Sequence, residues 1–270
     1  MEALSTEIIE ASIGGKFGKP LRFYDSIDST NRDALEWASE GAPEGALVTT
    51  DHQTAGRGRW GRTWSSDPGH LLQMSLVLRP GLHVTDAGLV TTGVGVACAE
   101  AIEETIGIAA RLKWPNDVML NGLKTAGILV ESTVTGSTID AAVAGIGINV
   151  NWTRDDMPED IRDSATSLAS EKGAEVPRLD LLVALLERLE RWCSDFDPAA
   201  RTRLIDAATE RSEILGHEVT VRFADGGTVQ GTALRLLPSG ALELDVDGRV
   251  GPIHVGEIQR LRRVKEADPT

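Results

Sequence analysis

The dipeptide Asn121-Gly122 restricts the fold of this chain more than any other local feature. It separates two apolar segments, 118–120 and 128–132. Asn-Gly is the preferred sequence of two-residue β-hairpin turns, because both positions need a positive φ. The flanking segments are therefore predicted to pair as antiparallel strands. Thr135-Gly136 predicts a further turn, before a long buried strand over 139–150 that is rich in Ala, Val and Ile.

Strand and helix patterns alternate over the rest of the first two hundred residues. Ser29, Thr30 or Asn31 can cap a helix in which small and apolar residues recur at helical spacing. Further helices are predicted over 89–106, 178–193 and 199–215, and strands over 21–27, 46–50, 71–78 and 111–114. This pattern predicts an α/β (α+β) fold with a mixed β-sheet flanked by helices.

The composition changes after His217. Four short strand patterns, over 219–223, 228–237, 241–246 and 249–255, alternate with glycine-containing turns. Closely spaced hairpins of this kind are typical of a small closed β-barrel. The chain is therefore divided into two predicted domains, 1–215 and 216–270.

The overall charge limits the classes of partner. A formal net charge of -14 argues against general binding to nucleic acid or to anionic membranes. The longest weakly polar segment, 87–110, is interrupted by Glu100, Glu103 and Glu104 and is too polar to span a membrane.

The cysteines and the N-terminus indicate the compartment. Cys98 and Cys193 have no metal or redox spacing, so we expect buried free thiols. The first residues carry acids and lack the basic and apolar regions of a signal peptide. We expect a cytoplasmic protein.

The segment Gln53–Trp64 concentrates positive charge. Three arginines, Arg57, Arg59 and Arg62, alternate with glycines, including Gly56. Glycine allows close backbone approach to a ligand, and arginine matches carboxylate and phosphate groups. The segment alone is compatible with a loop that closes over an anion, with an arginine–glycine segment that coats nucleic acid, or with a solvated turn.

A second polar segment, Lys-Trp-Pro-Asn-Asp, lies at 113–117. Proline interrupts the strand, which leaves Asn116 and Asp117 at a strand end. An amide beside a single carboxylate suits Mg²⁺ that is also held by substrate phosphates. An ordinary Pro-Asn-Asp turn is the commoner interpretation of the segment alone.

Two features of the following strands could form a binding surface. Lys124 precedes an apolar strand, either as a solvated flank or as a cation that holds a carboxylate against a phosphate. Gly145 and Gly147 stand at i and i+2 in the most apolar strand, which leaves bare backbone on one face. Such a face suits a flat ligand, although a bulge or tight helix packing is the alternative.

No other catalytic pattern is visible. The chain contains no zinc-type Cys/His spacing, no Walker A motif and no Gly-x-Ser-x-Gly. A site made of cations, glycines, an amide and a carboxylate indicates catalysis by positioning and charge neutralisation, as in phosphoryl and nucleotidyl transfer.

Taken in order, these segments resemble the biotin protein ligase family. The matching segments are Ser29-Thr30-Asn31, the Gln53–Arg62 run with Trp64, KWPND at 113–117, KTAGIL at 124–129 and GIGIN at 145–149. The resemblance implies a catalytic domain like that of class II aminoacyl-tRNA synthetases and biotin ligases, followed by an SH3-like β-barrel. Trp60 departs from the family pattern, where another basic residue is frequent, and so does Thr125, where an aliphatic residue is frequent.

The resemblance also implies a two-step reaction that consumes ATP with Mg²⁺ and biotin as substrates. Lys124 would bridge the biotin carboxylate and the α-phosphate, Arg59 would close over the adenylate, and Asp117 would help to hold Mg²⁺. The biotin site would comprise Ser29, Thr30, Asn31, Gln53, Gly56, Arg57, Arg59, Lys124, Gly127, Leu129, Gly145 and Gly147. The ATP site would comprise Arg59, Arg62, Trp64, Asn116, Asp117, Lys124 and Asn149.

The implied macromolecular partner is the biotin carboxyl carrier domain of a biotin-dependent carboxylase. About twenty residues precede the first predicted strand, too few for the winged-helix domain of some relatives, so we expect no operator binding. We also expect no nucleic-acid or membrane partner, and a monomer or weak homodimer. Two alternatives are a lipoate- or octanoyl-transferring relative of the same fold and an RNA-binding or regulatory module.

Overall fold

A mixed seven-stranded β-sheet forms the centre of the larger unit in the computed structural model, which describes residues 4–64 and 67–262. The strands are β1 (Leu21–Tyr24), β2 (Leu47–Thr50), β3 (Leu71–Leu78), β4 (Arg111–Lys113), β5 (Asp117–Leu120), β6 (Leu123–Thr135) and β7 (Thr138–Asn149). Their order is β1-β2-β3-β7-β6-β5-β4, with β1 and β2 parallel and the other described pairs antiparallel. The predicted fold class is confirmed.

The Asn121-Gly122 hairpin is present as predicted. Asn121 has a φ of 49° and Gly122 a φ of 79°, as a type I′ turn requires. Gly136, with a φ of 64°, forms the turn between β6 and β7. Strand β6 begins directly after the first turn, earlier than the apolar pattern indicates, because its first residues already pair with β5.

The two faces of the sheet are covered by different helices. The helices are α1 (Thr6–Ser12), α2 (Thr30–Ser39), α3 (Gly88–Ile106), α4 (Leu168–Lys172), α5 (Arg178–Cys193) and α6 (Pro198–Arg211). Helix α2 packs its alanines against Val48, Val77 and Val143 on one face. Helix α3 covers the other face, together with α5, which packs on α3.

The predicted helix over 199–215 ends earlier, at Arg211. Ser212 has extended backbone angles and bridges Leu112 at the edge of the sheet. The Glu213 N–H also donates to the Leu112 carbonyl, at 2.9 Å. Pairing with the sheet edge therefore replaces the last predicted turn of helix.

The C-terminal unit is a five-stranded antiparallel sheet with the order β11-β10-β9-β8-β12, in keeping with the predicted SH3-like domain. Its strands are β8 (Glu218–Arg222), β9 (Thr228–Leu236), β10 (Leu242–Val246), β11 (Arg249–Ile253) and β12 (Glu257–Arg262). The sequence analysis missed β12, whose alternating charged residues give no strong apolar run. The strand forms because it pairs with β8.

One continuous apolar core joins the two units. Buried residues of the C-terminal sheet, such as Val219 and Leu244, belong to the same cluster as Trp114 and Leu204. The Trp114 indole N–H donates to the Gly240 carbonyl at 3.2 Å. The division into domains 1–215 and 216–270 remains a prediction, and it separates two sheets that share one core.

Both cysteines are buried free thiols, as the sequence predicts. Burial raises the pKa of the Cys98 thiol to about 12 and raises that of Cys193 as well. No helix in the described parts of the chain is long and apolar enough to cross a membrane.

We predict that Gly240→Ala destabilises the protein more than Gly248→Ala. Both glycines have a φ near 80°, at 80° and 81°, so each substitution carries a similar backbone penalty of about 1–2 kcal/mol. A Cβ at Gly240 would also lie 2.6 Å from the Gly88 carbonyl carbon, whereas one at Gly248 meets no atom within 4 Å. Overpacking adds about 1–3 kcal/mol. Denaturant unfolding measures the difference, and equal losses of stability would contradict close packing of α3 on the C-terminal sheet.

Candidate active site

A cavity of about 630 Å³ opens beside the sheet near the N-terminus of α2. It is lined by sixteen of the residues that the sequence analysis assigned to the site: Ser29, Thr30, Asn31, Gln53, Arg57, Arg59, Arg62, Trp64, Asn116, Asp117, Lys124, Gly127, Leu129, Gly145, Gly147 and Asn149. Segments that are far apart in the chain therefore meet at one place.

Gly56 is the assigned residue that does not line the cavity. It is buried, and its carbonyl accepts a hydrogen bond from the Trp64 N–H at 2.9 Å. A Cβ at this position would lie 2.4 Å from the Trp64 carbonyl oxygen. Gly56 thus allows two parts of the arginine loop, residues 53–64, to approach each other, and its assignment to the biotin site remains a prediction.

The N-terminus of α2 holds a polar cluster. Ser29 occupies the N-cap position, but its hydroxyl makes no capping hydrogen bond. Instead the Gln53 side-chain oxygen accepts from the Thr30 N–H at 2.8 Å, which ties the arginine loop to the helix. The Ser75 hydroxyl oxygen lies 2.8 Å from the Thr30 hydroxyl oxygen and 2.6 Å from the Asn31 side-chain oxygen.

Glu131 extends this cluster towards the loop. Its carboxylate accepts from the Asn31 amide at 2.8 Å and from the Arg57 guanidinium at 3.1 Å. The sequence analysis missed Glu131 and Ser75. In the sequence, each of them is a polar residue within an apolar strand. This pattern marks the position but does not show which side chain the residue contacts in the folded protein.

Two glycines on adjacent strands form a flat area that we call the glycine platform, namely Gly127 on β6 and Gly147 on β7. They are direct partners in the β6–β7 register. The Trp64 indole lies on them, because a Cβ at Gly147 would be 2.4 Å from its Nε1 and one at Gly127 would be 2.9 Å from its Cζ3. At Gly145, a Cβ would instead meet the Asn31 side-chain oxygen at 2.2 Å. The expected bare backbone is present on one face of the sheet.

Trp64, which was assigned to the ATP site from the sequence, lies against the glycine platform in this structure, and its assignment remains a prediction. Its indole covers the glycine platform, and the Lys124 ammonium lies 5.5 Å from the centre of the ring. The buried indole Nε1 has no hydrogen-bond partner among the described residues. In this structure, therefore, an aromatic side chain occupies the surface that suits a flat ligand.

Lys124 and Arg59 lie at the polar end of the cavity. The Lys124 Nζ is 2.5 Å from the Asp117 Oδ1. The Arg59 guanidinium donates to the Asn116 side-chain oxygen at 3.2 Å and to the Gly256 carbonyl at 2.9 Å. Burial lowers the pKa of the Arg59 guanidinium, and the nearby carboxylates of Glu257 and Asp117 act in the opposite direction.

Arg62 connects the arginine loop to the C-terminal sheet. Its two terminal nitrogens each lie 2.7 Å from an oxygen of Glu257, in a bidentate pair. This hydrogen bonding raises the pKa of the Arg62 guanidinium. Glu257 also lines the cavity, so β12, the strand that the sequence analysis missed, contributes directly to the site.

The donor set at Asp117 suits a loosely held divalent cation. The described residues contain no group of three or more His, Cys, Asp or Glu side chains that could hold a metal. Asp117, Asn116 and Asn149 nevertheless share the cavity wall. A single carboxylate with neighbouring amides fits Mg²⁺ that takes its remaining ligands from phosphates and water.

Comparisons with known proteins point to one family. Residues 23–149 match the model of the biotin/lipoate A/B protein ligase family. The chain is 33% identical over 247 residues to a biotin–[acetyl-CoA-carboxylase] ligase of Mycobacterium tuberculosis, covering 87% of this chain and 86% of that protein. It is 35% identical over 242 residues to a bifunctional ligase/repressor of Bacillus subtilis, covering 90% of this chain and 74% of that protein.

A solved structure supports the same relationship. The fold is similar to a biotin protein ligase from Aquifex aeolicus in complex with biotin and ATP, with a TM-score of 0.73 and 29% sequence identity. The similarity covers 91% of this chain and all of that one, at 100%. It therefore extends over the larger unit and into the C-terminal sheet.

We predict that Glu257→Gln increases hydrogen exchange in the arginine loop while changing global stability little. The substitution removes the charge that Arg62 pairs with, and because 53% of the Arg62 side chain is exposed, the pair contributes no more than about 1 kcal/mol. Hydrogen-exchange mass spectrometry of residues 53–64 measures the effect.

The control is Glu243→Gln, which breaks the Arg235–Glu243 pair within the C-terminal sheet. That pair has nitrogen–oxygen distances of 2.8 and 3.2 Å and a similarly exposed arginine. We expect loop exchange to stay at the wild-type rate in this variant. Equal exchange in both variants would contradict a specific connection between loop and β12.

Proposed function

Because the chain belongs to the biotin protein ligase family, we propose that it joins biotin to ATP and then transfers biotin to a lysine of a carrier domain. The observation that carries this proposal is the position of Lys124. Its side chain lies between the glycine platform, which suits a flat ligand, and the polar end of the cavity with Asp117. It can therefore contact two substrates at the point where they meet.

In the first step, an oxygen of the biotin carboxylate attacks the α-phosphorus of ATP. The bond between this phosphorus and the oxygen that leads to the β-phosphate breaks, which gives biotinyl-5′-adenylate and pyrophosphate. Two like charges about 4 Å apart repel each other by about 4 kcal/mol at an effective dielectric constant of about 20. The site must offset this repulsion for the anions to meet.

Lys124 and Arg59 are the proposed source of that compensation. Each is already desolvated in part, with 30% of the Lys124 side chain exposed and the Arg59 pKa lowered by burial. Charges fixed in a partly dry site stabilise a developing anion without reorganisation of solvent. Asp117, with Asn116 and Asn149, would hold Mg²⁺, which when bound neutralises charge on the phosphates.

The biotin-binding role is proposed for the residues around α2 and the glycine platform. Gln53 is hydrogen-bonded to Thr30, and Asn31 is hydrogen-bonded to Ser75 and Glu131, so these side chains are ordered before a ligand binds. The remaining proposed contacts are Ser29, Arg57, Leu129, Gly145 and the platform itself. The presence of biotin and ATP together in the Aquifex aeolicus ligase supports this division of the cavity into two subsites.

In the second step, the ε-amine of a lysine on the carrier domain attacks the carbonyl carbon of the mixed anhydride. An amide bond forms, AMP leaves, and the amine loses its proton. A loop that covers the adenylate would keep water from the labile anhydride. The contacts of Arg59 with Gly256 and of Arg62 with Glu257 support this role for the arginine loop. The names of the relatives support the carrier domain of a biotin-dependent carboxylase as the acceptor.

The proposed enzyme acts in the cytoplasm without a repressor role. The two free thiols fit a reducing compartment, and the net charge of -14 disfavours binding to DNA. Some relatives are named as ligase/repressors. We therefore propose the absence of a repressor role from the net charge, not from the names of the relatives. A monomer or weak homodimer remains the prediction for the oligomeric state.

We predict that Lys124→Ala reduces adenylate formation by about 100-fold or more, the usual effect of removing one transition-state charge donor. Pyrophosphate release with biotin and MgATP measures the first step. The matched control is Lys172→Ala, which removes a lysine whose ammonium contacts the Thr105 carbonyl away from the cavity. Near-normal pyrophosphate release from Lys124→Ala would refute the assignment.

A further inference from the structure

Gln73 lies on β3, on the same face of the sheet as the glycine platform. Its direct cross-strand partner is Gly147, and Ser75 is likewise the partner of Gly145. Directly opposed residues of neighbouring strands project to the same face. Because Ser75 contacts Thr30 and Asn31 on that face, the Gln73 side chain stands on it too, next to the platform.

The amide of Gln73 is buried without a partner. The residue has 0% exposure, and neither its Oε1 nor its Nε2 has a hydrogen-bond partner in the described part of the protein. Its backbone carbonyl, in contrast, accepts from the Thr49 hydroxyl at 2.8 Å. Burying an amide without hydrogen bonds lowers the stability of the protein in this state.

The Trp64 indole presents the same problem at the same place. Its Nε1, which stands over Gly147, is also buried and unpaired. The unpaired indole nitrogen and the unpaired amide of Gln73 thus belong to two neighbours of the same glycine, Gly147. An apolar side chain would fill this position without the free-energy cost of an unpaired amide. The amide of Gln73 therefore points to a bound molecule.

We propose that Gln73 is a specificity-determining residue whose amide pairs with the edge of a ligand heterocycle that takes the place of the Trp64 indole. A carboxamide offers a donor and an acceptor side by side. It matches a flat ring edge that carries an N–H next to an acceptor, as in the cyclic urea of biotin or in adenine. The inference rests on the proposed function, because it concerns a ligand on the glycine platform, and Gln73 itself does not line the cavity while the Trp64 indole covers the platform.

The dimensions of the platform agree with this role. Gly127, Gly147 and Gln73 stand on three neighbouring strands, which span about 10 Å at the usual strand spacing. Lys124 lies at the β6 end of this row, with its Cε 3.3 Å from a Cβ placed on Gly127. A ligand of about this length whose anionic end contacts Lys124 can therefore reach Gln73 with its other end.

The test uses Gln73→Met, which keeps the length of the side chain and removes the amide. Since the amide is unpaired without ligand, we expect the ligand-free variant to be more stable, with a melting temperature raised by about 2–4 °C. We expect affinity for the ligand that pairs with Gln73 to fall by about 5- to 10-fold. A structural role of Gln73 would instead lower the melting temperature.

Calorimetric titrations of the full chain with biotin alone and with MgATP alone distinguish the two sources of the ring edge. If Gln73→Met weakens the binding of biotin but not that of MgATP, the ring edge is that of the cyclic urea. If it weakens the binding of MgATP but not that of biotin, the ring edge is that of adenine. The control is Leu72→Met, a substitution of the buried neighbour on the opposite face, which should bind both ligands as the wild type does. Gln73→Leu serves as a second variant if Gln73→Met does not fold.

Wild-type affinity for both ligands in Gln73→Met, or in Gln73→Leu if that variant is needed, would overturn the inference and leave the proposed function intact. A lowered melting temperature, with affinities no weaker than those of Leu72→Met, would also overturn it. Failure of the wild type to bind either biotin or MgATP would overturn the proposed function and this inference together.

Discussion

The site depends on a strip of backbone without side chains. Gly127 and Gly147 are direct partners on β6 and β7, and the space above them holds an indole ring that a Cβ at either position would overlap. A shift of one residue in the register would turn either glycine to the face covered by α3. The Thr135-Gly136 turn, which joins β6 to β7, helps to set that register, because it determines which residues of the two strands face each other. The β6–β7 hairpin and the ligand surface therefore depend on the same strand register.

The cations around this strip are already paired within the protein. Lys124 contacts Asp117, Arg57 contacts Glu131, and Arg62 contacts Glu257. In a chain with a net charge of -14, such pairs keep positive groups at a partly dry cavity without an excess of local charge. A carboxylate and a triphosphate that enter the cavity can take over these contacts. In the proposed reaction, binding would exchange internal anions for ligand anions while the lysine and the arginines stay in place.

Much of this arrangement could be predicted from local sequence. The hairpin turn, the apolar strand with Gly145 and Gly147 and the arginine loop each have a signature of a few residues, and the structure brings the strand and the loop to one cavity. The structure also confirms the buried thiols and the mixed sheet.

The remaining features depend on contacts between distant parts of the chain. Glu131 and Gln73 look like isolated polar residues in apolar strands, and only the register shows that one meets Arg57 and the other Gly147. Glu257 lies on a strand that forms by pairing with β8, far in sequence from Arg62. The position of Trp64 on the platform follows from loop closure, which no local pattern encodes.

In the proposed reaction this cavity activates biotin with ATP and passes it to a carrier lysine. The most direct test preloads the full chain with biotin and MgATP, removes the free small molecules, and adds a biotin carrier domain for intact-mass analysis. We predict that the carrier gains one biotinyl group, and that a carrier whose acceptor lysine is replaced by arginine gains none. No gain with biotin, or a gain when lipoate replaces biotin and none with biotin itself, would contradict it.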